Sequence, residues 1–577
     1  MKNLANKIII CVIFSMFILC GNSAEIYNIA KLNEVPPDVK IEKEYEKNGM
    51  IVKELTFTSE VFNGETIRIF GFYAFSQKQE GKQPGILAIA GGNAPTPLSM
   101  VEEWVKNGYP CIGIHLPNNA QKKINRSIAV SGVGSFTVKD SNPATNQEYH
   151  NIIALLRAIT VLSSQKEVDS GKIGVTGGSW GGFYTFYLAS VDPRISAAAP
   201  IYGCGNMKGT WWLDFPVADE NIKKQWLTLI DPINFYKGIT CPILFSTASN
   251  DWAYWLNSAM SSYAEVRSEK RFVLSPNSSH FLEPAMQDSP RKWFDYYLKG
   301  QGTPFPAIGQ MKFEINDGKL YASTETKASD RIKDAVFCFS AGAGSGQWPG
   351  RLWQKVKAIK KGDKWEAVIP VEFPESELHI YATVTDANNT PVSCIPERIY
   401  PNKIGNISPY SGNNSMVVFS SIRSDGWAYG FQNLSKIKEA DGGPSFKSEN
   451  KDAKPFLKIK LSPKCSFVMA KSSVAKYDVK WVEGYYNYKV SLRLKSSKPV
   501  KVTAGLEGEK KFSKEFEVSE DWKDYEFDVT VSKPYCLMLK PFLTAEASDG
   551  ILYLEAFEVK VYKSGTEMEK SHEDPKK

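Results

Sequence analysis

The sequence of 577 residues has few of the features that mark several common classes of protein. Its net charge of +7 is small for this length, and it has no block of basic residues and no nucleic-acid-binding motif, so nucleic acid is not an expected partner. Its N-terminal apolar run, residues 8–19, is too short to span a membrane as a stable helix. The protein is therefore not expected to be membrane-spanning.

Cysteine is sparse and widely spaced. Seven cysteines follow the first 23 residues: Cys111, Cys204, Cys241, Cys338, Cys394, Cys465 and Cys536. The odd count and the absence of close pairs argue against a disulfide scaffold and against a zinc cluster, and most of these cysteines lie in apolar, strand-like stretches typical of buried free thiols. Cys338 and Cys394 form a disulfide only if the fold brings them together. No metal and no organic cofactor is predicted.

The N-terminus resembles a secretory signal. Lysines precede the apolar run, and small residues from Gly21 to Ala24 follow it, which predicts a signal peptide over residues 1–23. Cys20 is an alternative lipidation site, but the bulky Leu19 before it fits lipoprotein processing poorly. We expect an exported protein, secreted or periplasmic.

The central pattern predicts an α/β domain over residues 24–302. Two alternating stretches, "VKELTFTS" and "ETIRIFGFYAF", indicate antiparallel strands. From residue 85 onward, strand-like runs such as "GILAIAG", "KIGVTG" and "CPILFST" alternate with helical segments such as "NIIALLRAITVLSSQ". This alternation is typical of a mainly parallel sheet covered by helices.

The helical pattern ends at Gly300, and a Pro/Gly-rich linker follows it. Residues 303–403 contain short strands separated by turns, which predicts an immunoglobulin-like β-sandwich. A second all-β domain is predicted over residues 415–565, and the charged residues 566–577 are expected to form a tail. The fold class is thus α/β followed by two all-β domains.

The stretch "GVTGGSWGGFYTFYLAS" places Ser179 in a Gly-x-Ser-x-Gly motif between a strand-like run and a helix-like run. One such match is weak evidence alone, because a glycine-rich turn produces it by chance. The strand–turn–helix context is what a nucleophile elbow requires, with Gly177 and Gly181 at positions where a side chain would collide with neighbouring backbone. Ser179 is therefore the predicted nucleophile; the alternative is a packing serine in a turn.

A serine nucleophile requires a histidine base and a carboxylate. Only five histidines are present: His115, His150, His280, His379 and His572. Two precede the serine, one falls in the predicted sandwich and one in the tail, so His280, after the strand-like "RFVLSP", is the predicted base. Asp251 follows "CPILFSTASN", in a loop immediately after a strand-like run, and is the predicted acid. Asp231, Asp214 and Asp219 are alternatives, and none of them follows a clear strand.

The oxyanion of an acyl-transfer intermediate needs two backbone N–H donors. Trp180 supplies one, and the loop in "LAIAGGNAP" supplies the other from Gly92 or Asn93. Five aromatic residues in loops at the carboxyl ends of the strands are candidates for substrate binding, although ordinary loop packing explains each of them equally well: Trp211, Trp212, Trp252, Tyr254 and Trp255.

Residues 85–300 resemble the acetyl xylan esterase and dienelactone-hydrolase-like branch of the α/β-hydrolases, most specifically in "GVTGGSWGGFYTFYLASVDPRISAAAPIYGCG". The "GSWGG" core is also similar to the prolyl oligopeptidases, but the roughly 60 residues before the domain are too few for their β-propeller. The resemblance implies a Ser–His–Asp esterase.

The C-terminal segments "YYNYKVSLRLKSSKPVKVTAGL", "FEVSEDWKDYEFDVTV" and "ILYLEAFEVKVY" resemble carbohydrate-binding jelly rolls. Five aromatic residues there are candidates for stacking on sugars, or else belong to the core: Trp427, Trp481, Tyr485, Tyr486 and Trp522.

Together these features predict an exported serine carboxylesterase that removes acetyl or feruloyl groups from a plant-type polysaccharide such as xylan. Its expected partner is therefore an acylated polysaccharide or oligosaccharide. Two alternatives remain. One is a prolyl oligopeptidase-like serine peptidase, and the other is a catalytically silent carbohydrate-binding protein that retains a hydrolase fold.

Overall fold

A computed structural model describes most of the chain. The described residues are 27, 29–34, 36–118, 124–208, 210–214, 217–327, 331–341, 351–411, 415–420, 445–447, 456–461, 485–507, 511–530, 540–546 and 549–563. The predicted signal peptide and the charged tail lie outside them. The first strands are β1 (Lys40–Lys47), β2 (Met50–Phe62) and β3 (Glu65–Ser76), which pair in antiparallel order as their alternating pattern predicts.

Six further strands correspond to the apolar runs of the sequence: β4 (Gln83–Ile89), β5 (Cys111–Ile114), β6 (Val168–Gly178), β7 (Ile195–Ile201), β8 (Ile243–Ala248) and β9 (Lys270–Ser275). Their order in the sheet is β5-β4-β6-β7-β8-β9, and every neighbouring pair is parallel. The prediction of a mainly parallel sheet is confirmed. The carboxyl ends of β4, β6, β8 and β9 consequently lie along one edge, where the predicted site residues follow.

The helices of this domain are α1 (Ile29–Glu34), α2 (Leu98–Lys106), α3 (Gln147–Ser163), α4 (Trp180–Val191), α5 (Trp211–Asp214), α6 (Glu220–Leu229), α7 (Leu256–Glu265), α8 (Pro284–Gln287) and α9 (Ser289–Lys299). Buried side chains of α3 and α4 belong to the hydrophobic cluster on one face of the sheet, and those of α2 and α9 belong to the cluster on the other face. Both faces are covered, which explains why the parallel strands are continuously apolar rather than alternating.

The described residues that follow form nine more strands: β10 (Ala307–Asn316), β11 (Lys319–Lys327), β12 (Ile332–Ala341), β13 (Gln354–Lys357), β14 (Ile359–Lys361), β15 (Lys364–Ile369), β16 (Leu378–Asp386), β17 (Pro391–Ser393) and β18 (Glu397–Ile399). They also form the short helix α10 (Pro401–Ile404). One layer, β10-β11-β15-β14, is a separate sheet. The other layer, β17-β16-β12-β13, continues the central sheet, because Ser393 of β17 pairs with Phe272 of β9. The sandwich and the α/β domain therefore share one sheet.

The C-terminal strands are β19 (Ser415–Ser420), β20 (Ser445–Lys447), β21 (Phe456–Lys460), β22 (Tyr485–Ser496), β23 (Val500–Glu507), β24 (Lys511–Val518), β25 (Lys523–Thr530), β26 (Lys540–Glu546) and β27 (Ile551–Lys563). Within the described residues they form a six-stranded and a three-stranded antiparallel sheet around a core that includes Val490, Val502 and Val559. The prediction of an all-β C-terminal region is confirmed.

Five cysteines lie within the described residues, and all five are free thiols. Cys338 and Cys394 do not pair: Cys338 lies on β12 beside Tyr381 of the intervening strand β16, and the sulfur of Cys394 accepts the N–H of Ala382 at 3.1 Å. The fold therefore does not form the disulfide that the sequence analysis left conditional, and both cysteines are free thiols. None of the helices in the described part of the chain combines the length and the apolar character that a membrane crossing requires.

Candidate active site

Ser179 lies in a sharp turn between β6 and α4. Its backbone has φ 60° and ψ −124°, a conformation that a residue with a side chain rarely adopts. The turn is held from both sides, since the N–H of Ser179 donates to the carbonyl of Ile201 at 2.9 Å and its carbonyl accepts the N–H of Phe183 at 3.0 Å. This strained strand-to-helix turn is the local geometry of a nucleophile elbow.

The two glycines of the motif are required by close approach to β4. A Cβ on Gly177 would lie 2.5 Å from the carbonyl oxygen of Ile89, and a Cβ on Gly181 would lie 2.3 Å from the same oxygen. A Cβ atom essentially never approaches a non-bonded oxygen this closely in a real protein. The Gly-x-Ser-x-Gly spacing therefore reflects the packing of the turn against the end of β4, as the sequence predicts.

His280 and Asp251 are brought together from separate loops. The Nδ1–H of His280, in the loop after β9, donates to Oδ2 of Asp251 at 2.8 Å. Asp251 follows β8 and is fully buried, and its other oxygen, Oδ1, accepts the N–H groups of Ala253 at 2.7 Å and Tyr254 at 3.0 Å. The carboxylate is thus fixed in position. It bonds to Nδ1 of His280, so Nε2 takes no part in this hydrogen bond. Ser179 and His280 line the same cavity.

The other histidines that the structure describes have structural contacts elsewhere. The Nδ1 of His115 accepts the N–H of Arg126, and burial lowers the pKa of His115 to about 4. His150 is fully buried between Glu60 and the carbonyl of Ala144, each at 2.8 Å. His379 lies in the sandwich beside Glu377, and burial followed by the charge of Arg351 lowers its pKa to about 4. His572 lies outside the described residues.

The rival acids also have other contacts. Asp231 is fully buried and accepts backbone N–H groups from Asn206, Met207 and Ile233, and burial raises its pKa to about 6 against the effect of these hydrogen bonds. Asp219 caps helix α6 by accepting two of its first N–H groups. The side chain of Asp214 lies outside the described residues. Of the three candidate carboxylates whose side chains the structure describes, Asp251 is the one that contacts His280.

The loop after β4 faces the nucleophile. A Cβ on Gly91 would lie 3.0 Å from Cβ of Ser179, so the backbone of this loop passes directly beside the serine. Gly91 and Gly92 line the cavity with Ser179, while the side chain of Asn93 is turned away and accepts a hydrogen bond from Tyr184 at 2.8 Å. Trp180 is the first residue of α4, so its N–H has no acceptor within the helix.

A cavity of about 430 Å³ opens at Ser179, within the range of small-molecule sites, about 300–1,000 Å³. Besides the serine, His280 and the glycines of the turn and loop, its lining consists of Ala88, Met100, Trp104, Thr176, Ile201 and Tyr202. The ring of Tyr202 lies 4.7 Å from that of His280. Most of this wall is apolar and comes from α2 and from strand ends, so it suits the apolar part of a small substrate.

Four of the predicted aromatic residues have side chains that the structure describes, and none of these four lines this cavity. Trp212 and Trp252 are half-buried, with ring centroids 5.8 Å apart, and Trp252 lies 5.7 Å from His280. Trp255 donates its indole N–H to the carbonyl of Trp252. Tyr254 is fully buried and stacks 6.2 Å from His280, so it supports the base from the protein interior. The side chain of Trp211 lies outside the described residues.

Several contacting residues were missed by the sequence analysis. Met100 and Trp104 carry no motif, and only the amphipathic pattern of α2 could have marked them as facing the sheet. Asn250 lies in the loop of Asp251 and Asn277 lies in the loop of His280. Both asparagines donate hydrogen bonds to backbone carbonyls of the sandwich. A pairing between residues about 100 positions apart leaves no local sequence signal.

Comparison with known families supports a hydrolase-like α/β fold for the central domain. Residues 72–270 match the dienelactone hydrolase family, and residues 217–342 match the family described as PhoPQ-activated pathogenicity-related protein. The second match crosses from the α/β domain into the sandwich, as the shared sheet does.

Three relatives illustrate the similarity. The acetyl esterase Axe7A of Xylanibacter ruminicola is 22% identical over 251 residues, which are 40% of this chain and 56% of that protein. The chain thus spans little more than half the length of this curated relative. Among solved structures, the acetyl xylan esterase of Paenibacillus sp. R4 is 18% identical, covering 48% of this chain and 94% of that one at a TM-score of 0.41. Acetyl xylan esterase 1 of Thermoanaerobacterium sp. JW/SL YS485 is 21% identical, with 47% and 92% covered and the same TM-score.

Proposed function

We propose that the α/β domain, of which residues 72–270 match the dienelactone hydrolase family, is an exported serine carboxylesterase that removes acyl groups from a plant-type polysaccharide such as xylan. The observation that carries the proposal is the hydrogen bond from His280 to a buried Asp251, in a cavity that His280 shares with the strained Ser179. Ester hydrolysis is the part that the family and its relatives support most directly.

In the proposed reaction, Oγ of Ser179 attacks the ester carbonyl while Nε2 of His280 takes the serine proton. Asp251 holds the imidazole in the required tautomer and stabilises its charged form. The N–H of Trp180 and an N–H of the Gly92–Asn93 loop stabilise the oxyanion, aided by the N-terminus of α4. The alcohol leaves with the proton from His280, and a water molecule then hydrolyses the acyl-enzyme by the same steps.

The apolar cavity is proposed to receive the acyl group. It adjoins Ser179 on the side of Met100 and Trp104, while the half-buried Trp212 and Trp252 lie near His280, where a sugar alcohol would leave. Acetyl and feruloyl esters are both candidate substrates. The relative from Xylanibacter ruminicola is named an acetyl esterase, which supports acetyl as the first ester to test.

The C-terminal domain is proposed to bind polysaccharide. Trp522 is half-buried directly before β25, 6.5 Å from the ring of Tyr553, and Nζ of Lys495 lies 5.1 Å from each ring. Aromatic rings with a cation beside them suit a sugar surface, particularly an acidic one. Trp427 and Trp481 lie outside the described residues, as do the side chains of Tyr485 and Tyr486.

Labelling with a fluorophosphonate and assays on acetylated xylan, methyl ferulate, an aryl acetate and a peptide amide test the proposal. The wild type should be labelled and should hydrolyse esters, and Ser179→Ala should lose labelling and about 10⁴-fold or more in kcat. Ser190→Ala is the matched control, because Ser190 is a buried serine at the far end of α4 whose hydroxyl bonds to Phe186 and Tyr187. Cleavage of the peptide amide alone would favour a peptidase, and an unlabelled wild type would favour the silent protein.

A further inference from the structure

The segment Arg351–Trp353 of the sandwich contacts both loops that carry the acid and the base. The amide of Asn250 donates to the carbonyl of Arg351 at 2.6 Å. Asn277 and Trp353 exchange two hydrogen bonds, each of 2.8 Å: the N–H of Trp353 donates to Oδ1 of Asn277, and Nδ2 of Asn277 donates to the carbonyl of Trp353. One short segment is thus bonded to two loops that are separate in sequence.

These two asparagines lie directly beside the proposed triad. Asn250 precedes Asp251 in the chain, and Asn277 lies three residues before His280. The loops are also bonded to each other, because Oγ of Ser249 accepts the N–H of Asn277 at 2.8 Å and donates to Oδ1 of Asn250 at 2.7 Å. Loss of the hydrogen bonds to either asparagine would therefore affect the positions of both Asp251 and His280.

The segment itself is firmly held within the sandwich. Arg351 is 3% exposed, and its Nη2 lies 3.3 Å from Oε1 of Glu377, just before β16. Trp353 is 2% exposed, and its ring packs edge-on against Tyr381 of β16 at 5.1 Å. Since β16 belongs to the sheet that continues the central sheet, the segment has a fixed position relative to β8 and β9.

We propose that Arg351–Trp353 is a clamp that sets the distance between His280 and Asp251, and that Asn250 and Asn277 are the positioning residues through which it acts. The inference rests on the proposed function, because it concerns the geometry of that triad. A triad works only when its members are held within about 0.5 Å of the productive arrangement, and loops alone hold side chains less precisely than packed elements do. The sandwich is then part of the catalytic unit, although it supplies no reacting atom.

Asn277→Gly is the principal test. Asn277 has φ 54°, a conformation that glycine adopts without strain, so the substitution removes both bonds to Trp353 and leaves the backbone acceptable. In the folded full-length protein, we expect kcat on an aryl acetate to fall about 10- to 100-fold, with KM changed by less than about 3-fold. The rate of fluorophosphonate labelling should fall in parallel. Asn250→Ala should act in the same direction.

Two further variants separate positioning from general stability. Asn63→Gly makes the same change at the same backbone conformation, φ 51°, in the exposed β2–β3 turn, and should leave kcat unchanged. Asn277→Asp keeps an acceptor for the N–H of Trp353 and should recover part of the lost kcat. Thermal unfolding of each variant identifies an assay temperature at which all of them remain folded.

The outcomes distinguish this inference from the proposed function. If the wild type is not labelled by the fluorophosphonate, the proposed function fails and the clamp fails with it. If the wild type is labelled but Asn277→Gly and Asn250→Ala retain its kcat while folded, the clamp alone is overturned. A loss of activity that only follows the unfolded fraction would also overturn it, because the asparagines would then stabilise the fold and not the triad.

Discussion

The hydroxyl of Tyr184 donates a 2.8 Å hydrogen bond to Oδ1 of Asn93, and so ties helix α4 to the loop that faces Ser179. Tyr184 in turn accepts the amide of Asn151 on α3 at 2.8 Å, and the carbonyl of Asn93 accepts the amide of Asn118 at 3.0 Å. Burial raises the pKa of Tyr184 well above its usual value, so the hydroxyl keeps its proton and remains a donor. The proposed oxyanion loop is thus held at Asn93 through both its side chain and its carbonyl.

Tyr184→Phe should lower kcat about 3- to 10-fold, because the loop loses a hydrogen bond worth about 1 kcal/mol and its N–H donors become less well aimed. Tyr187→Phe is the matched control: Tyr187 lies one turn later on α4, and its buried hydroxyl accepts a bond from Tyr27 at 3.2 Å. Both variants should lose similar stability in urea unfolding, but Tyr187→Phe should keep its kcat. Equal kcat in the two variants would contradict a role for Tyr184 in aiming the loop.

The order of the triad along the chain could be predicted because each member follows a strand. Parallel strands end at one edge, so a serine after β6, an aspartate after β8 and a histidine after β9 meet there whatever the intervening helices do. The same reasoning favoured His280 over His115 and His150, which lie before the serine and bond to other groups in the structure.

Trp104→Leu should widen the proposed acyl cavity. Trp104 is half-buried, lines the cavity, and lies edge-on to Tyr109 and Phe294. We expect kcat/KM for an aryl butyrate relative to the acetate to rise by about 10-fold, the scale of a methylene group or two in an apolar pocket. Trp212→Leu is the comparison, since Trp212 was predicted to bind substrate but lies outside this cavity. A shift in Trp212→Leu and none in Trp104→Leu would place the acyl group among the loop aromatics.

The wall of the cavity and the clamp could not be predicted from the sequence, for a physical reason. In the sequence, Met100 and Trp104 look like ordinary core-facing residues of α2. In the structure they line a cavity because the glycines of the β4 loop leave a space beside them. The bonds between Asn277 and Trp353 depend on β17 joining β9, a strand pairing across about 120 residues that no local pattern specifies. Sequence therefore indicated the residues that are proposed to react, while their surroundings required the tertiary structure.

Glu148→Gln should remove a pH dependence of stability. Glu148 is fully buried in the first turn of α3, and burial raises its pKa from 4.5 to about 8. Between these values the folded state keeps a proton that the unfolded state has released, so this group makes stability fall as pH rises, by at most about 1.4 kcal/mol per pH unit. The glutamine variant should flatten this fall in urea unfolding from about pH 5 to about pH 8.

The control for this measurement is Glu220→Gln, the same change in the first turn of α6, where Glu220 is exposed and pairs with Lys223 at 2.8 Å. It should leave the pH profile of unfolding unchanged. A wild-type profile that does not decline from about pH 5 to about pH 8 would show that Glu148 is ionised in the folded protein.

A chain ending at residue 410 should hydrolyse a small aryl ester at close to the full-length rate, yet work less well on insoluble xylan. The triad and the Arg351–Trp353 clamp both lie before this point, and Tyr410 donates its N–H to Val371 at 2.7 Å, which closes the sandwich. The missing binding domain would no longer raise the local substrate concentration, which is an effect of tethering and not of the barrier. The separate segment 415–565 should be retained on xylan or cellulose, and less so after Trp522→Ala.

The shortened chain should nevertheless be less stable, because Leu352 and Phe373 of the sandwich pack against the C-terminal core and would become exposed. Leu352 lies within the Arg351–Trp353 clamp. Removing the C-terminal domain therefore also tests whether this contact affects the triad. If the shortened chain loses kcat on the small ester while fully folded, the C-terminal domain acts on the triad through Leu352, and the modules are not independent. If neither polysaccharide retains the separate segment and both chains are equally active on xylan, the C-terminal domain has a structural role instead.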